Sequence, residues 1–185
     1  MVRALHAALA RAGDDDAVGA VIILGTRDAF SAGADLKTFL SADPPLSQAL
    51  VRRELGALFL LIEAYRKPLV AAVNGDALGA GLGLVAAAHL AVAVDTARFG
   101  LPGVRLGIMP MTIMPAVFRT LPRKLGLELM LTGRLMDAPE ALERGFINAI
   151  APADGLVEAA VRLAREASNT ALTIEGSNRP LTIGV

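Results

Sequence analysis

The sequence predicts an α/β domain built around a parallel sheet, on three observations. The 185 residues suffice for one domain with a core of its own. Hydrophobic residues make up 54% and aromatic residues 4%, so the core is expected to consist of small aliphatic side chains. Short β-branched runs alternate with helical segments, which is typical of parallel strands joined by crossover helices. We assign residues 1–168 to this core and residues 169–185, which lack a helical period, to an extended or loose C-terminal tail.

The first hundred residues contain the clearest elements. Val2, Leu5 and Leu9 form the inward face of a first amphipathic helix. Apolar runs bounded by turn residues predict buried strands over residues 17–26, 69–75 and 91–95. The prolines at 44 and 45 open a helix through Tyr65. Its inward positions are Leu50, Leu55, Leu58, Phe59 and Ile62.

The remaining elements are shorter. A helix is expected around residues 81–89, after a glycine-rich segment, and an extended piece near Phe99. "FINAIAP" is interpreted as a returning strand. Helical stretches are predicted over residues 111–121, 123–132, 138–144 and 155–167.

Composition excludes several classes of function. The 18 basic and 18 acidic residues give no net charge that would favour nucleic acid or an anionic membrane. Cysteine is absent, and His6 and His89 lie in different predicted elements, so we expect no metal site. Glycines interrupt the uncharged stretch 77–94, which argues against a membrane span, and the N-terminus lacks the apolar region of a secretory signal. We expect a cytoplasmic protein.

Two loops carry the strongest functional signal. "FSAGADLK", residues 30–37, and "GDALGAGLG", residues 75–83, each follow the C-terminal end of a predicted strand. Their small residues let the backbone approach a ligand closely, and the second loop leads into a helix N-terminus, where free N–H groups favour negative charge. Two such donors aimed at one oxygen form an oxyanion hole. Ser31 lacks the GxSxG context of a hydrolase nucleophile.

With these loops, the chain resembles the crotonase superfamily, the enoyl-CoA hydratase and isomerase group. Further matching segments are "KPLVAAVNG", "AVAVDTARFGLP", "GIMP" and "LMLTGRLMDAPEALERGFINAIAP". The resemblance covers residues 17 to about 155 and implies a ClpP/crotonase-type spiral of ββα repeats, truncated at both ends. It also implies an acyl-CoA thioester as substrate, no separate cofactor, and a homotrimer or hexamer.

The resemblance assigns roles to individual residues. It implies that the N–H groups of Ala34 and Ala80 hold the thioester oxygen. Lys37 would lie near the coenzyme A phosphates, although outside this motif it is equally typical of a solvated surface lysine. The residues implied to line the substrate path are Ala32, Asp35, Leu36, Lys37, Gly79, Pro102 and Gly103.

Two positions depart from the pattern of the hydratases. The resemblance places their two catalytic glutamates at Gly83 and Gly103, and glycine can act neither as an acid nor as a base. We therefore expect poor hydratase activity, and expect glutamate at both positions to raise it. Asp76 is a weak candidate for a substitute acid, because an aspartate after Asn74-Gly75 more often caps a turn.

Two alternatives remain open. Residues 81–86 fit the GxGxxA pattern of dinucleotide-binding proteins, but Asp95 follows Gly81 by only 14 residues where about 20 are expected. A non-catalytic crotonase-like protein that binds acyl-CoA or a partner protein is the other alternative.

Overall fold

The computed structural model describes residues 1–26, 28–33, 45–170 and 179–184, with side chains omitted at 45–48, 169–170 and 179–184. In this part of the chain, five parallel strands form the larger sheet in the order β8-β5-β3-β1-β9. Its strands are β1 (Val18–Leu24), β3 (Leu69–Val73), β5 (Leu90–Val94), β8 (Ala149–Ala151) and β9 (Arg179–Gly184). The three predicted buried strands are therefore present as neighbours.

Short strands form a smaller sheet, and three of them follow β1, β3 and β5 along the chain. Its strands are β2 (Ala29–Ser31), β4 (Asp76–Leu78), β6 (Arg98–Gly100) and β7 (Leu135–Asp137). The first three pair in parallel and β7 pairs antiparallel with β6. Each of β1, β3 and β5 thus continues into a short strand of the second sheet before the next helical segment. This is the ββα repeat that the resemblance implies.

Helices cover both sheets and connect the repeats. They are α1 (Val2–Asp14), α2 (Pro45–Glu63), α3 (Ala80–Ala87), α4 (Met114–Thr120), α5 (Arg123–Thr132), α6 (Ala138–Glu143) and α7 (Leu156–Thr170). Short 3₁₀ helices span Pro102–Leu106, Met111–Ile113 and Ala153–Gly155. Within the described residues, no helix is both long enough and apolar enough to cross a bilayer.

The core between the larger sheet and the helices is aliphatic, as the composition predicts. Leu5 and Leu9 of α1 and Leu58 and Ile62 of α2 are buried. Leu50, predicted to face inward, is 48% exposed, so that assignment is wrong. It lies near the start of α2, beyond the core layer that the later turns of this helix cover.

Polar contacts attach α1 to the segment between α2 and β3. The Tyr65 hydroxyl donates a hydrogen bond to the Leu9 carbonyl oxygen at 2.9 Å. The Lys67 Nζ donates to the carbonyl oxygens of Ala12 and Asp15, at 2.8 and 2.6 Å, where the end of α1 leaves carbonyls without helical partners. Burial, with a smaller contribution from the charge of Asp14, raises the pKa of Tyr65 to about 12.

The extended piece predicted near Phe99 is β6, whereas the other strands of the smaller sheet and β9 are not predicted as strands. A three-residue strand gives no usable alternation pattern, so β2 and β4 were included in the two loops and β7 was not distinguished from its surroundings. Residues 179–184 pair in parallel with β1, with Leu181 opposite Val21. The division of the chain between residues 168 and 169 stays a prediction.

Replacing Tyr65 with phenylalanine tests the attachment of α1. The change keeps the buried ring and removes the donor to the Leu9 carbonyl. We expect the free energy of unfolding to fall by about 1 kcal/mol and Tm by about 2 to 4 °C. Urea and thermal unfolding followed by circular dichroism measure both, and unchanged values would show that this hydrogen bond does not stabilise the fold.

Candidate functional site

The two loops singled out in the sequence meet in the structure at their glycines. Gly33, in the first loop, has φ = 93°, which favours glycine, and its N–H donates to the Ser31 Oγ at 3.3 Å. A Cβ atom placed on Gly33 would lie 2.8 Å from the Leu78 carbonyl oxygen and 3.2 Å from the Ala80 nitrogen. The backbone of the first loop therefore lies directly against the segment that leads into α3.

The start of α3 presents a backbone donor at this contact. Gly79, with φ = 55°, precedes the helix and donates its own N–H to the Gly100 carbonyl of β6 at 2.9 Å. Ala80 is the first helical residue, so its N–H has no acceptor in the preceding turn. The first intrahelical bond runs from the Gly83 N–H to the Gly79 carbonyl. Among the residues that the structure describes, none accepts a hydrogen bond from the Ala80 N–H.

A second close contact fixes α3 against β2. A Cβ atom on Gly81 would lie 2.4 Å from the Ser31 carbonyl oxygen and 2.8 Å from the Ser31 Cβ. Only glycine permits this distance, so the helix N-terminus lies directly on the strand that enters the first loop. Gly81 and Gly83 are buried within α3, whereas a dinucleotide fingerprint needs its glycines in the turn before the helix. The dinucleotide alternative therefore fails on geometry.

The other residues assigned from the resemblance are placed only in part. Ala34, Asp35, Leu36 and Lys37 lie outside the described residues, so their roles stay predictions. Ala32 is exposed just before Gly33, while Gly79, Pro102 and Gly103 are half-buried. Pro102 and Gly103 begin a 3₁₀ helix directly after Leu101, and β6 lies next to β4 in the smaller sheet. Pro102 and Gly103 therefore follow the end of β6, the strand that neighbours β4 of the second loop.

Asp76, the weak candidate for an acid, is engaged in an ion pair. Its two carboxylate oxygens accept hydrogen bonds from Nε and the terminal nitrogen of Arg98, at 2.9 and 2.6 Å. The pair joins β4 to β6 at a partly exposed position, and the pKa of Arg98 is raised by its hydrogen bond to Asp76. The expected turn cap is thus replaced by a bidentate contact across two strands.

An apolar groove lies beside α3. It runs between α2 and the segment 111–120 and encloses about 250 Å³. Residues one turn apart on the two sides form its walls: Gly56, Phe59 and Glu63 on one and Thr112, Ala116 and Arg119 on the other. Glu63 and Arg119 form an exposed ion pair across it. Phe59, on one wall of the groove, also lies next to the position of Gly83 in α3.

His89 joins the segment after α3 to the start of β3 through two hydrogen bonds. Its ring Nδ1 accepts a hydrogen bond from the Leu69 N–H at 3.0 Å, and its backbone N–H donates to the Leu69 carbonyl oxygen at 2.9 Å. Partial burial of the ring lowers the pKa of His89 below its ordinary value. Within the described residues, no three His, Asp or Glu side chains are grouped closely enough to hold a metal ion.

The arrangement is that of a ββα spiral with two glycine loops brought together at a helix N-terminus, and comparison with known proteins identifies the class. The family described as enoyl-CoA hydratase/isomerase matches residues 1–175. The crystal structure of human enoyl coenzyme A hydratase domain-containing protein 3 superposes with a TM-score of 0.85 at 32% identity, covering 91% of this chain and 65% of that one. The chain therefore belongs to the enoyl-CoA hydratase/isomerase family, within the crotonase superfamily.

Individual relatives are identical to this chain at about a third of the aligned positions. A probable enoyl-CoA hydratase of Mycobacterium tuberculosis is 37% identical over 173 residues, 85% of this chain and 66% of the relative. The 2,3-dehydroadipyl-CoA hydratase of Escherichia coli is 34% identical over 175 residues, 94% of this chain and 68% of that enzyme. The chain thus spans about two thirds of the length of these relatives.

Replacing Gly33 with alanine tests the contact between the loops. The added Cβ would meet the Leu78 carbonyl at 2.8 Å in a backbone conformation that alanine disfavours. We expect a loss of about 2 to 5 kcal/mol, combining about 1 to 2 for the conformation with about 1 to 3 for the overlap. Gly145→Ala is the matched control, because Gly145 has φ = 69° but open space around it. Equal losses in the two variants, measured by urea unfolding, would contradict the close approach.

The lowered pKa of His89 predicts how stability depends on pH. Because the folded state disfavours the charged ring, the unfolded chain binds more protons below about pH 6.5. Stability is fully present above that pH and falls as the pH drops through the folded pKa. His89→Asn keeps a side-chain acceptor near the Leu69 N–H and removes the titration. We expect this variant to show a weaker dependence of the free energy of unfolding on pH below about pH 6.5. An unchanged slope would exclude His89 as the cause of the loss of stability at low pH.

Proposed function

We propose that this chain binds the acyl group of a coenzyme A thioester and stabilises the enolate formed from it. In this proposal the thioester oxygen accepts hydrogen bonds from the N–H groups of Ala34 and Ala80. The observation that carries it is the position of Gly33, against the Ala80 nitrogen. Ala34 follows Gly33 directly in the chain and lies outside the described residues, so its role as the second donor rests on the resemblance.

The chemistry follows from where charge develops. When a proton leaves the carbon next to a thioester carbonyl, the electron pair moves onto the carbonyl oxygen. An N–H donor held in place by helix packing stabilises that oxyanion without reorganising, and the dipole of α3 adds to the effect. Neither donor depends on its side chain, which needs only to be small.

The same proposal predicts weak hydration of enoyl thioesters. Hydration requires a group that activates water and a group that delivers a proton, and this step is typically worth a factor of about 10² to 10⁴. Gly83 and Gly103 supply neither. The family membership supports an acyl-CoA substrate, whereas the reaction that this chain performs is part of the proposal.

A non-catalytic role in binding acyl-CoA is the second candidate. It is favoured by Asp76, whose two oxygens are both held by Arg98, so that the candidate acid of the second loop is committed to an ion pair. Turnover separates the two roles. Exchange of the α-proton of an acyl-CoA for deuterium, catalysed by this chain, would support chemistry, and binding without exchange would support the second candidate.

A titration with acetoacetyl-CoA tests the oxyanion site, because this ligand shows an enolate absorbance band and needs no catalytic glutamate. We expect a saturable band with the unaltered chain. Ala80→Pro removes the N–H and should weaken the band at least about tenfold, since one such donor is worth about 10² to 10³ in a reaction rate. Proline is well tolerated at the first position of a helix.

Ala80→Gly is the matched control, because it retains the donor and should retain the band. Circular dichroism and thermal unfolding confirm that each variant is folded. A folded Ala80→Pro variant with an undiminished band would exclude Ala80 as a donor, and a folded unaltered chain without any band would overturn the proposed function.

A further inference from the structure

Gly83 is enclosed by two side chains from distant parts of the chain. It is buried in α3, three residues after Ala80. A Cβ atom placed on it would lie 2.7 and 2.8 Å from Cγ2 and Cβ of Ile113, and 2.9 Å from Cζ of Phe59. These distances are well below van der Waals contact. The space that any side chain on position 83 would enter is therefore already filled.

Ile113 has little freedom to leave this space. It is the last residue of the 3₁₀ helix Met111–Ile113, immediately before α4, and its side chain is 3% exposed. Its N–H donates to the Pro110 carbonyl. Because Cβ of Ile113 is one of the overlapping atoms, rotation of the side chain cannot remove the overlap. Phe59, in contrast, presents only the far edge of its ring.

Gly103, the other position of interest, has different surroundings. A Cβ atom there would lie 3.5 Å from Cβ of Ile108, which is an ordinary contact distance. The two glycines are therefore not equivalent. A side chain fits at position 103, whereas a side chain fits at position 83 only if its neighbours give way.

We propose that Ile113 is a specificity-determining residue of this site. Its side chain, with Phe59 beside it, occupies the place where a carboxylate on position 83 would project. It makes that wall of the acyl site apolar and unable to position water. This inference rests on the proposed function and adds to it a residue that neither the motifs nor the resemblance assigns. It also changes the expectation for Gly83→Glu. This substitution is now expected to raise hydration only when Ile113 is replaced by a smaller residue as well.

The reaction at issue is the addition of water to an enoyl thioester. The water oxygen bonds to the β-carbon, the C=C electron pair moves to the thioester as an enolate, and the α-carbon then takes a proton, giving a 3-hydroxyacyl thioester. A carboxylate must hold the water and accept its proton during this addition. The hydrocarbon of Ile113 and Phe59 provides no such acceptor, so hydration is the step that this wall disfavours.

A stability cycle tests the steric part of the proposal without any ligand. We expect Gly83→Ala to lower Tm by roughly 2 to 12 °C, the range for an overpacked core in a chain of this size. Ile113→Gly removes both overlapping atoms, so Gly83→Ala should cost much less in that background. Ile113→Val is the matched control, because valine retains Cβ and both Cγ atoms and should give no relief.

Activity tests the specificity part. Gly83 and Gly103 are both replaced with glutamate in three backgrounds: the otherwise unaltered chain, the Ile113→Gly variant and the Ile113→Val variant. We expect hydration of a four-carbon 2-enoyl-CoA to rise by about 10² to 10⁴ only in the variant with Ile113→Gly. The acetoacetyl-CoA band of the unaltered chain is measured in parallel, so that failure of the oxyanion site is distinguished from failure of this proposal.

Each outcome decides the question. An equal loss of Tm on Gly83→Ala in the unaltered chain, in Ile113→Gly and in Ile113→Val would show that Ile113 does not fill the space at position 83. The role in specificity would be overturned by a combination of two results. Ile113→Gly would reduce the loss of Tm caused by Gly83→Ala, yet the folded, enolate-binding glutamate variant with Ile113→Gly would hydrate no faster than the one with Ile113→Val. If the glutamate variants do not fold, the affinity of the Gly83→Ala variant for acetoacetyl-CoA decides the question. We expect Gly83→Ala to weaken this binding and the addition of Ile113→Gly to restore it. Affinity that is not restored would count against the proposal.

Discussion

The site depends on the close approach of two backbone segments at Gly33 and Ala80. A single added methyl group on Gly33 would overlap the Leu78 carbonyl and reach the Ala80 nitrogen at 3.2 Å. This contact brings the N-terminus of α3 to the loop that follows β2. The parallel pairing of β2 with β4 supports it from behind, because the two short strands place the starts of both loops side by side.

Helix α3 is held in place by contacts on different sides that only glycine permits. Gly81 lies against Ser31 of β2, and Gly83 lies against Ile113 and Phe59. Gly79 contributes its positive φ, which turns the chain from β4 into the helix. The glycines of "GDALGAGLG" therefore serve separate purposes, and one glycine-rich motif specifies a turn, a strand contact and a packed wall.

Much of this architecture could be predicted from the sequence, and the failures have physical causes. β1, β3 and β5 were predicted because fully buried strands are continuous apolar runs, and α1 because its inward residues recur at helical spacing. β2, β4 and β7 of the second sheet were missed because three residues carry no period. The loops were recognised from their small residues, but the filling of position 83 was not, because it joins residues 59, 83 and 113 from separate elements. No local signal reports such a contact.

In the proposed function, binding of a thioester oxygen and transfer of protons have separate physical origins. The proposed donors are backbone N–H groups, and that of Ala80 is positioned by glycine contacts between β2, β4 and α3. Acids and bases, in contrast, are side chains, and the space that a side chain on position 83 would need is filled by Ile113 and Phe59. Under the proposed function, packing at this position therefore bears on proton transfer, whereas the donor at Ala80 is a backbone group that does not depend on it. The contact between Gly83 and Ile113 is the point at which the two parts of the proposed site can vary independently.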